Sequence, residues 1–303
     1  MNMEDYWGDN YKVGNFGIKY LDKKLNGIAK SDLILIGARA GSGKTTIANQ
    51  IYTENCGNGR CMLFSLENFS GDLYSQSVYQ KYKEYSRNYS LTPRQWLMSD
   101  FKKDYDALDK AEKEVHKEQE GKYIITRQSD YTIEKLKKDM VKACEDGCEL
   151  LIIDHLDYVD KDNPTENDIS HITDLMRTIR KLQDAFKVAV VAVSHLRKPE
   201  NSRIQIKIPN ENEFIGSSNK AKEATIVIMF APDDEGNLEW MKDDLKRTWC
   251  CIRKNRFGGT DNKCANLIFN RETGKYETTY ELHSVNYLGT ETKMIETIMG
   301  GEK

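Results

Sequence analysis

The chain has 303 residues, with 45 Lys+Arg against 48 Asp+Glu, a net charge of −3 and 39% hydrophobic residues. That balance excludes a globally basic nucleic-acid coat protein, although a local basic patch is enough for phosphate contacts, and it fits an ordinary globular chain. No run approaches the roughly 18 apolar residues of a membrane span, and the opening MNMEDYWGDNYK has no apolar signal core.

The seven cysteines are odd in number, with Cys250 and Cys251 adjacent, which predicts reduced thiols and a cytoplasmic location. Cys56 with Cys61, and Cys144 with Cys148, lack the two-residue gap and neighbouring His of a zinc site.

Five apolar runs read as strands: Leu33–Gly37, Cys61–Leu66, Leu150–Asp154, Val188–Ser194 and Ala224–Phe230. None alternates polar with apolar, which predicts strands covered on both faces, as in a parallel sheet. Between them, Thr132–Cys144 repeats Ile133, Leu136, Met140 and Cys144 at helical spacing. Ile169–Phe186 does the same with Ile169, Ile172, Leu175, Ile179, Leu182 and Phe186. Strand and helix in alternation predict right-handed βαβ units and an α/β fold with a mostly parallel, doubly wound sheet.

The polar stretch 69–121 reads as solvent-facing helices inserted between two strands; six Lys and seven Asp/Glu are mixed through residues 101–122. Trp249–Tyr280 reads as antiparallel strands with Gly258-Gly259 at a turn. The expected organisation is a short arm (1–15), one α/β domain (16–285) carrying the helical insertion, and a C-terminal tail (286–303).

Gly37 to Thr45, GARAGSGKT, fits G-x-x-x-x-G-K-[ST] in full. Glycines in such a loop let successive backbone N–H groups turn inward around an anion, and the next helix presents its free N–H groups and positive dipole end to the phosphates. Gly41, Ser42, Gly43, Lys44, Thr45 and Thr46 are therefore the expected ATP-binding set. Lys44 is placed to reach the β/γ oxygens, and the Thr45 hydroxyl to ligate Mg²⁺. The run before it supplies the required strand, and Ile47 and Ile51 supply the following helix. Asp154 ends the apolar LLII and is the expected acidic partner of Mg²⁺. Glu67 ends the strand after the phosphate-loop helix and faces the same carboxyl-end crevice, where it can activate water. His195 ends VAVVAVS at that edge too.

Together these segments resemble the helicase domain of DnaB-like replicative helicases, most closely the phage primase–helicase and Twinkle type. The likeness runs from about Phe16 to Tyr276. It is carried by the phosphate loop, Phe64-Ser65-Leu66-Glu67, Leu151-Ile152-Ile153-Asp154-His155, and Val193-Ser194-His195-Leu196-Arg197-Lys198-Pro199. Arg253-Lys254-Asn255-Arg256-Phe257-Gly258-Gly259 and Asn270-Arg271-Glu272-Thr273-Gly274 complete it. The resemblance implies a RecA-like motor that hydrolyses Mg²⁺-ATP between subunits of a ring, a hexamer by analogy, to translocate on single-stranded DNA and unwind duplex. It makes Glu67 the catalytic base and Asp154 the metal-binding acid. His195 becomes a γ-phosphate sensor, Arg256 an arginine finger for the adjacent subunit with Lys254 beside it, and Phe269 the residue packed on adenine. It also implies a bacterial or phage-infected cell.

The loops 155–168 and 197–214 line the channel in that likeness. Residues 197–207 carry Arg197, Lys198, Arg203 and Lys207 against Glu200, a net of +3 suited to a phosphate track. The family's D-L-R-G-S motif stands here as Glu213-Phe214-Ile215-Gly216-Ser217, without the Arg. Only 15 residues precede Phe16, where relatives carry a sizeable N-terminal domain, so a primase or N-terminal-domain partner in trans is an expectation. Two other readings share the phosphate site: a RecA/RadA-like recombinase ATPase that forms filaments, and a non-motor ATPase that regulates a helicase or primase in trans.

Overall fold

The computed structural model describes residues 11–39, 42–86, 93–98, 104–119, 123–126, 128–197, 208–215, 219–233, 246–259, 262–270, 274–286 and 288–297. In chain order the strands are β1 (Lys12–Gly14), β2 (Ile28–Ala29), β3 (Leu33–Ala38), β4 (Cys61–Ser65), β5 (Tyr123–Thr126) and β6 (Leu150–Asp154). They continue with β7 (Ala189–His195), β8 (Ile226–Pro232), β9 (Lys246–Asn255), β10 (Lys263–Asn270), β11 (Lys275–Val285) and β12 (Thr292–Thr297). The α-helices are α1 (Lys19–Leu25), α2 (Lys44–Asn55), α3 (Ser70–Ser86), α4 (Pro93–Met98), α5 (Tyr105–Gln119), α6 (Ile133–Glu145), α7 (Asp168–Phe186) and α8 (Asn219–Glu223).

Ten strands form one sheet in the order β5-β4-β6-β7-β3-β8-β9-β10-β11-β12. Pairing is parallel from β5 across to β8 and antiparallel from β8 to β12. Every residue of β3, β4 and β6 is buried. Leu33 and Leu35 face one cluster with Met140, Leu175 and Ile179, while Ile34, Ile36 and Ala38 face the other with Ile47, Ile51 and Phe16. Covering both faces with helices is why the strand sequences are continuously apolar. The predicted doubly wound sheet is the observed one.

The helix α7 begins at Asn167, whose side chain accepts from the Ser170 N–H at 2.8 Å, and stops at Lys187 in the left-handed conformation. Leu175, Met176 and Ile179 are fully buried, each burial stabilising by about 1.5–3 kcal/mol. Ile169, expected on that stripe, is 60% exposed, because the covered face begins only at His171 and Ile172.

Three further differences from the sequence reading stand out. The insertion helices α3, α4 and α5 hold a core of their own, with Trp96 5.4 Å from the rings of both Tyr79 and Tyr82. The four-residue β5 extends the parallel sheet beyond them. Within the expected tail, β12 pairs with β11 and forms the far edge of the sheet. The turn after β9 is closed by Asn255, whose Oδ1 accepts from the N–H groups of Phe257 and Gly258 at 3.2 and 3.1 Å.

Candidate active site

The register fixes where chemistry can gather. Gly37 lies beside Ser194 and Ala38 beside His195, while Ser65 lies beside Asp154. The carboxyl ends of β3, β4, β6 and β7 thus open onto one crevice, as in other parallel sheets.

The phosphate loop leaves β3 there and enters α2 through Gly43, in the left-handed region at φ 74°. A Cβ at Gly43 would collide with the Tyr276 hydroxyl. That hydroxyl donates to the Ser42 carbonyl at 3.0 Å. Tyr276 is itself held from α2: its N–H donates to Gln50 Oε1 at 2.7 Å, and Gln50 Nε2 donates to the Tyr276 carbonyl at 2.9 Å. Phe269, opposite Tyr276 across β10 and β11, sits with its ring centroid 5.3 Å away. Gly41 lies outside the described residues, as does Ala40.

Lys44 opens α2 and is 8% exposed. Burial lowers its ammonium pKa, and the carboxylates of Glu67, Asp154 and Asp157 oppose that shift. Asp154 is fully buried, and neither carboxylate oxygen takes a full hydrogen bond from the protein. Burial pushes its carboxyl up to about 6, against the pull of His155, the Thr45 hydroxyl and Lys44. A buried carboxylate with both oxygens short of a full hydrogen bond and a hydroxyl beside it is a fitting donor set for a hard divalent cation.

Glu67 follows β4 and reaches His155, whose Nε2 lies 3.5 Å from Glu67 Oε2. His155 is fully buried, with its ring centroid 4.1 Å from His195 and 4.6 Å from Tyr158. Its Nδ1 lies 3.3 Å from Asp157 Oδ2. Burial, with help from His155 and Lys44, lowers the His195 pKa, so its ring is neutral at neutral pH.

Asp157 and Lys220 form the part of the site that the sequence reading missed. Lys220, fully buried, places Nζ 2.5 Å from Asp157 Oδ1 and donates to Ser194 Oγ at 2.8 Å. Asp157 Oδ2 also accepts from the His195 N–H at 2.8 Å and the Ser194 hydroxyl at 3.1 Å. Although burial opposes it, His155, Lys220 and the His195 N–H together hold the Asp157 carboxyl well below the usual range. Removing one partner of such a buried pair costs about 3–5 kcal/mol. The loop 155–168, read as a channel loop, therefore begins as the buried floor of the site, with Leu156 fully enclosed.

Arg39, inside the phosphate loop, pairs with Glu213 at 3.7 Å. Glu213 also closes a capping box with Asn210. Leu196 bridges Phe214, so the segment leaving His195 is clamped to the segment that returns. Arg197, exposed, is the described base of that excursion. Lys198, Arg203 and Lys207 lie outside the described residues. Arg256 sits just past β9, beside the amino end of β8 and so at the opposite end of the sheet from the crevice. Its N–H donates to the Thr225 carbonyl at 2.9 Å, and its Nη2 contacts the Lys222 carbonyl at 3.5 Å. Lys254 donates to the Ala221 and Lys222 carbonyls at 2.6 and 3.1 Å. The structure thus gathers Ser42, Lys44, Thr45, Glu67, Asp154 and His195, with Phe269 beside the loop through Tyr276, and keeps Arg256 apart.

Fold and site define a phosphate-loop protein of the RecA-like α/β class. Residues 15–278 match the family described as DnaB-like helicase C terminal domain, and the chain belongs to that family. It is 25% identical over 268 residues to the replicative DNA helicase DnaB of Geobacillus stearothermophilus, covering 86% of this chain and 55% of that protein. It is 26% identical over 242 residues to the DnaB of Buchnera aphidicola, covering 77% and 50%. The chain spans about half the length of these curated relatives. Among solved structures, one ATPase domain superposes with a TM-score of 0.71 at 18% identity, covering 89% of this chain and 93% of that one. A DnaB-like replicative helicase, described with its interactions with primase, gives 0.69 at 19% identity, covering 91% and 64%. Among the described residues no helix is long and apolar enough to cross a membrane.

Proposed function

We propose that this chain is the motor of a replicative DNA helicase, hydrolysing Mg²⁺-ATP between subunits of a ring to translocate on single-stranded DNA. The observation that carries this reading is the separation of Arg256 from its own crevice, on a chain whose family is that of DnaB-like helicase C-terminal domains. Phosphate-loop sites commonly need an arginine at the γ-phosphate to stabilise the transition state, and a neighbouring copy is the natural source.

Lys44 and the backbone N–H groups at the start of α2 hold the β- and γ-phosphates. Thr45 and Asp154 are the residues that would hold Mg²⁺, which when bound neutralises charge on the β/γ-phosphate oxygens. Glu67 orients and deprotonates the attacking water, with His155 Nε2 3.5 Å from its carboxylate. His195, neutral and anchored through its N–H to Asp157, senses the γ-phosphate and passes the difference to the segment that follows it. Phe269 offers a ring for the adenine. Arg197, Lys198, Arg203 and Lys207 form the track for DNA phosphates, independent of base sequence. The ring, single-stranded DNA, a primase or N-terminal-domain partner and a cytoplasmic setting all belong to this reading.

The test is ATP turnover with and without single-stranded DNA, together with duplex unwinding. Stimulated turnover with unwinding supports the motor. Strand exchange on filaments without unwinding supports a recombinase, and stimulation by a protein partner but not by DNA supports a regulator.

A further inference from the structure

Lys220 has no role in the mechanism above, yet it is a fully buried lysine in the five-residue α8, bonded to Asp157 and Ser194. Through Asp157 it is bonded to the His195 N–H, and the two ring nitrogens of His155 lie 3.3 Å from Asp157 Oδ2 and 3.5 Å from Glu67 Oε2. The other end of the same short helix offers its last carbonyls outward. Ala221 and Lys222 accept from Lys254, and Lys222 is also contacted by Arg256. One short helix therefore has its inner anchor at Asp157 and Ser194, beside the crevice, and its outer anchor under the Arg256 guanidinium, to which the proposed function gives a role in another site.

A desolvated ammonium has no water to fall back on, so it cannot leave its carboxylate without a large penalty. Any shift of Asp157 with the state of the γ-phosphate would be passed through this pair to α8, and with it to the carbonyls that Lys254 and Arg256 contact. We propose that Lys220 is a positioning residue that links the ATP site of its own subunit to the arginine finger lent to the next. This rests on the trans role of Arg256 proposed above, and concerns what sets that finger's pose.

The test is a double-mutant cycle on the assembled chain with single-stranded DNA, using parent, Lys220→Met, Arg256→Ala and the combination, with radiolabelled ATP to read slow turnover. Asp157→Asn/Lys220→Met, which removes both charges and keeps an acceptor for the His195 N–H, is carried in parallel as the variant that folds without a stranded carboxylate. The expected result is a kcat loss of about 5- to 150-fold for the Lys220 variants, with nucleotide affinity kept. Added to Arg256→Ala, the same changes should produce no further loss, because both act on one finger. A parental kcat in the neutralised pair, or a loss that multiplies fully with that of Arg256→Ala, overturns the link while leaving the finger intact. A parental kcat for Arg256→Ala overturns the trans site itself, and the link with it.

Discussion

The Tyr276 hydroxyl donates to the Ser42 carbonyl and occupies the space that any side chain at position 43 would need. The phosphate loop is thus seated from below by the antiparallel part of the sheet, 234 residues further along the chain.

Tyr276→Phe removes that bond and leaves the packing. A typical hydrogen bond contributes about 0.5–1.5 kcal/mol, so nucleotide affinity should fall roughly two- to twelvefold at 1.36 kcal/mol per tenfold. Gly43→Ala meets both the left-handed backbone and Tyr276, and should abolish binding. Titration with a fluorescent ATP analogue checks both; unchanged affinity in both would contradict this seating.

The Asp154 carboxylate is buried without full hydrogen bonds, so it opposes folding, and a bound cation would relieve that cost. Asp154→Asn should abolish turnover and stabilise the nucleotide-free protein at neutral pH by up to about 3 kcal/mol, taking 1.36 kcal/mol per unit of pKa shift. Thermal unfolding with and without Mg²⁺-nucleotide reads this. The parent should gain stability from the ligand and the variant should not. A variant less stable than the ligand-free parent would argue against a strained, metal-ready carboxylate.

Asp32 gives a pH signature away from the site. Burial lifts its carboxyl to about 6 despite the Ala29 N–H at 2.9 Å and the nearby Thr225 hydroxyl. The folded state then holds this proton more tightly than the unfolded state, whose carboxyl has the ordinary value of 3.8. The associated stability is complete below about pH 4, is lost as pH rises to about 6, and amounts to about 3 kcal/mol. Urea unfolding of parent and Asp32→Asn across pH 4–7 should show this slope in the parent and its loss in the variant. Identical slopes would refute the assignment.

Much of this was legible in the sequence for a physical reason. A strand buried on both faces must be apolar throughout, so β3, β4, β6, β7 and β8 announce themselves, and the carboxylates at their ends are ordered by the parallel topology. The phosphate loop is legible because its glycines have fixed places, Gly43 holding a left-handed backbone at φ 74° that a side chain resists. Tyr276, Asp157 and Lys220 were not, since each works through a pairing made by folding alone. Nothing in Asn219–Glu223 marks Lys220 as buried, and 63 residues separate it from Asp157. The strand β5 was hidden because four residues at a sheet edge carry too little pattern, and Ile169 misled because helical spacing does not say where coverage begins.

The basic track proposed for DNA carries its own signature. Lys198→Glu with Arg203→Glu should weaken single-stranded DNA binding and, for two lost phosphate contacts, flatten the slope of log K against log salt by about 1.4. Fluorescence anisotropy across a salt series measures it. An unchanged slope would move the DNA path elsewhere.

The most direct test of the shared site is ATP turnover per chain as the protein is diluted, for the parent and for Arg256→Ala. The rate should collapse as the assembly comes apart, and Arg256→Ala should lose roughly 10³–10⁵ in turnover while still binding nucleotide. A dispersed single copy that turns over ATP at the undiluted rate, with Arg256→Ala its equal, would contradict a site completed by a second subunit.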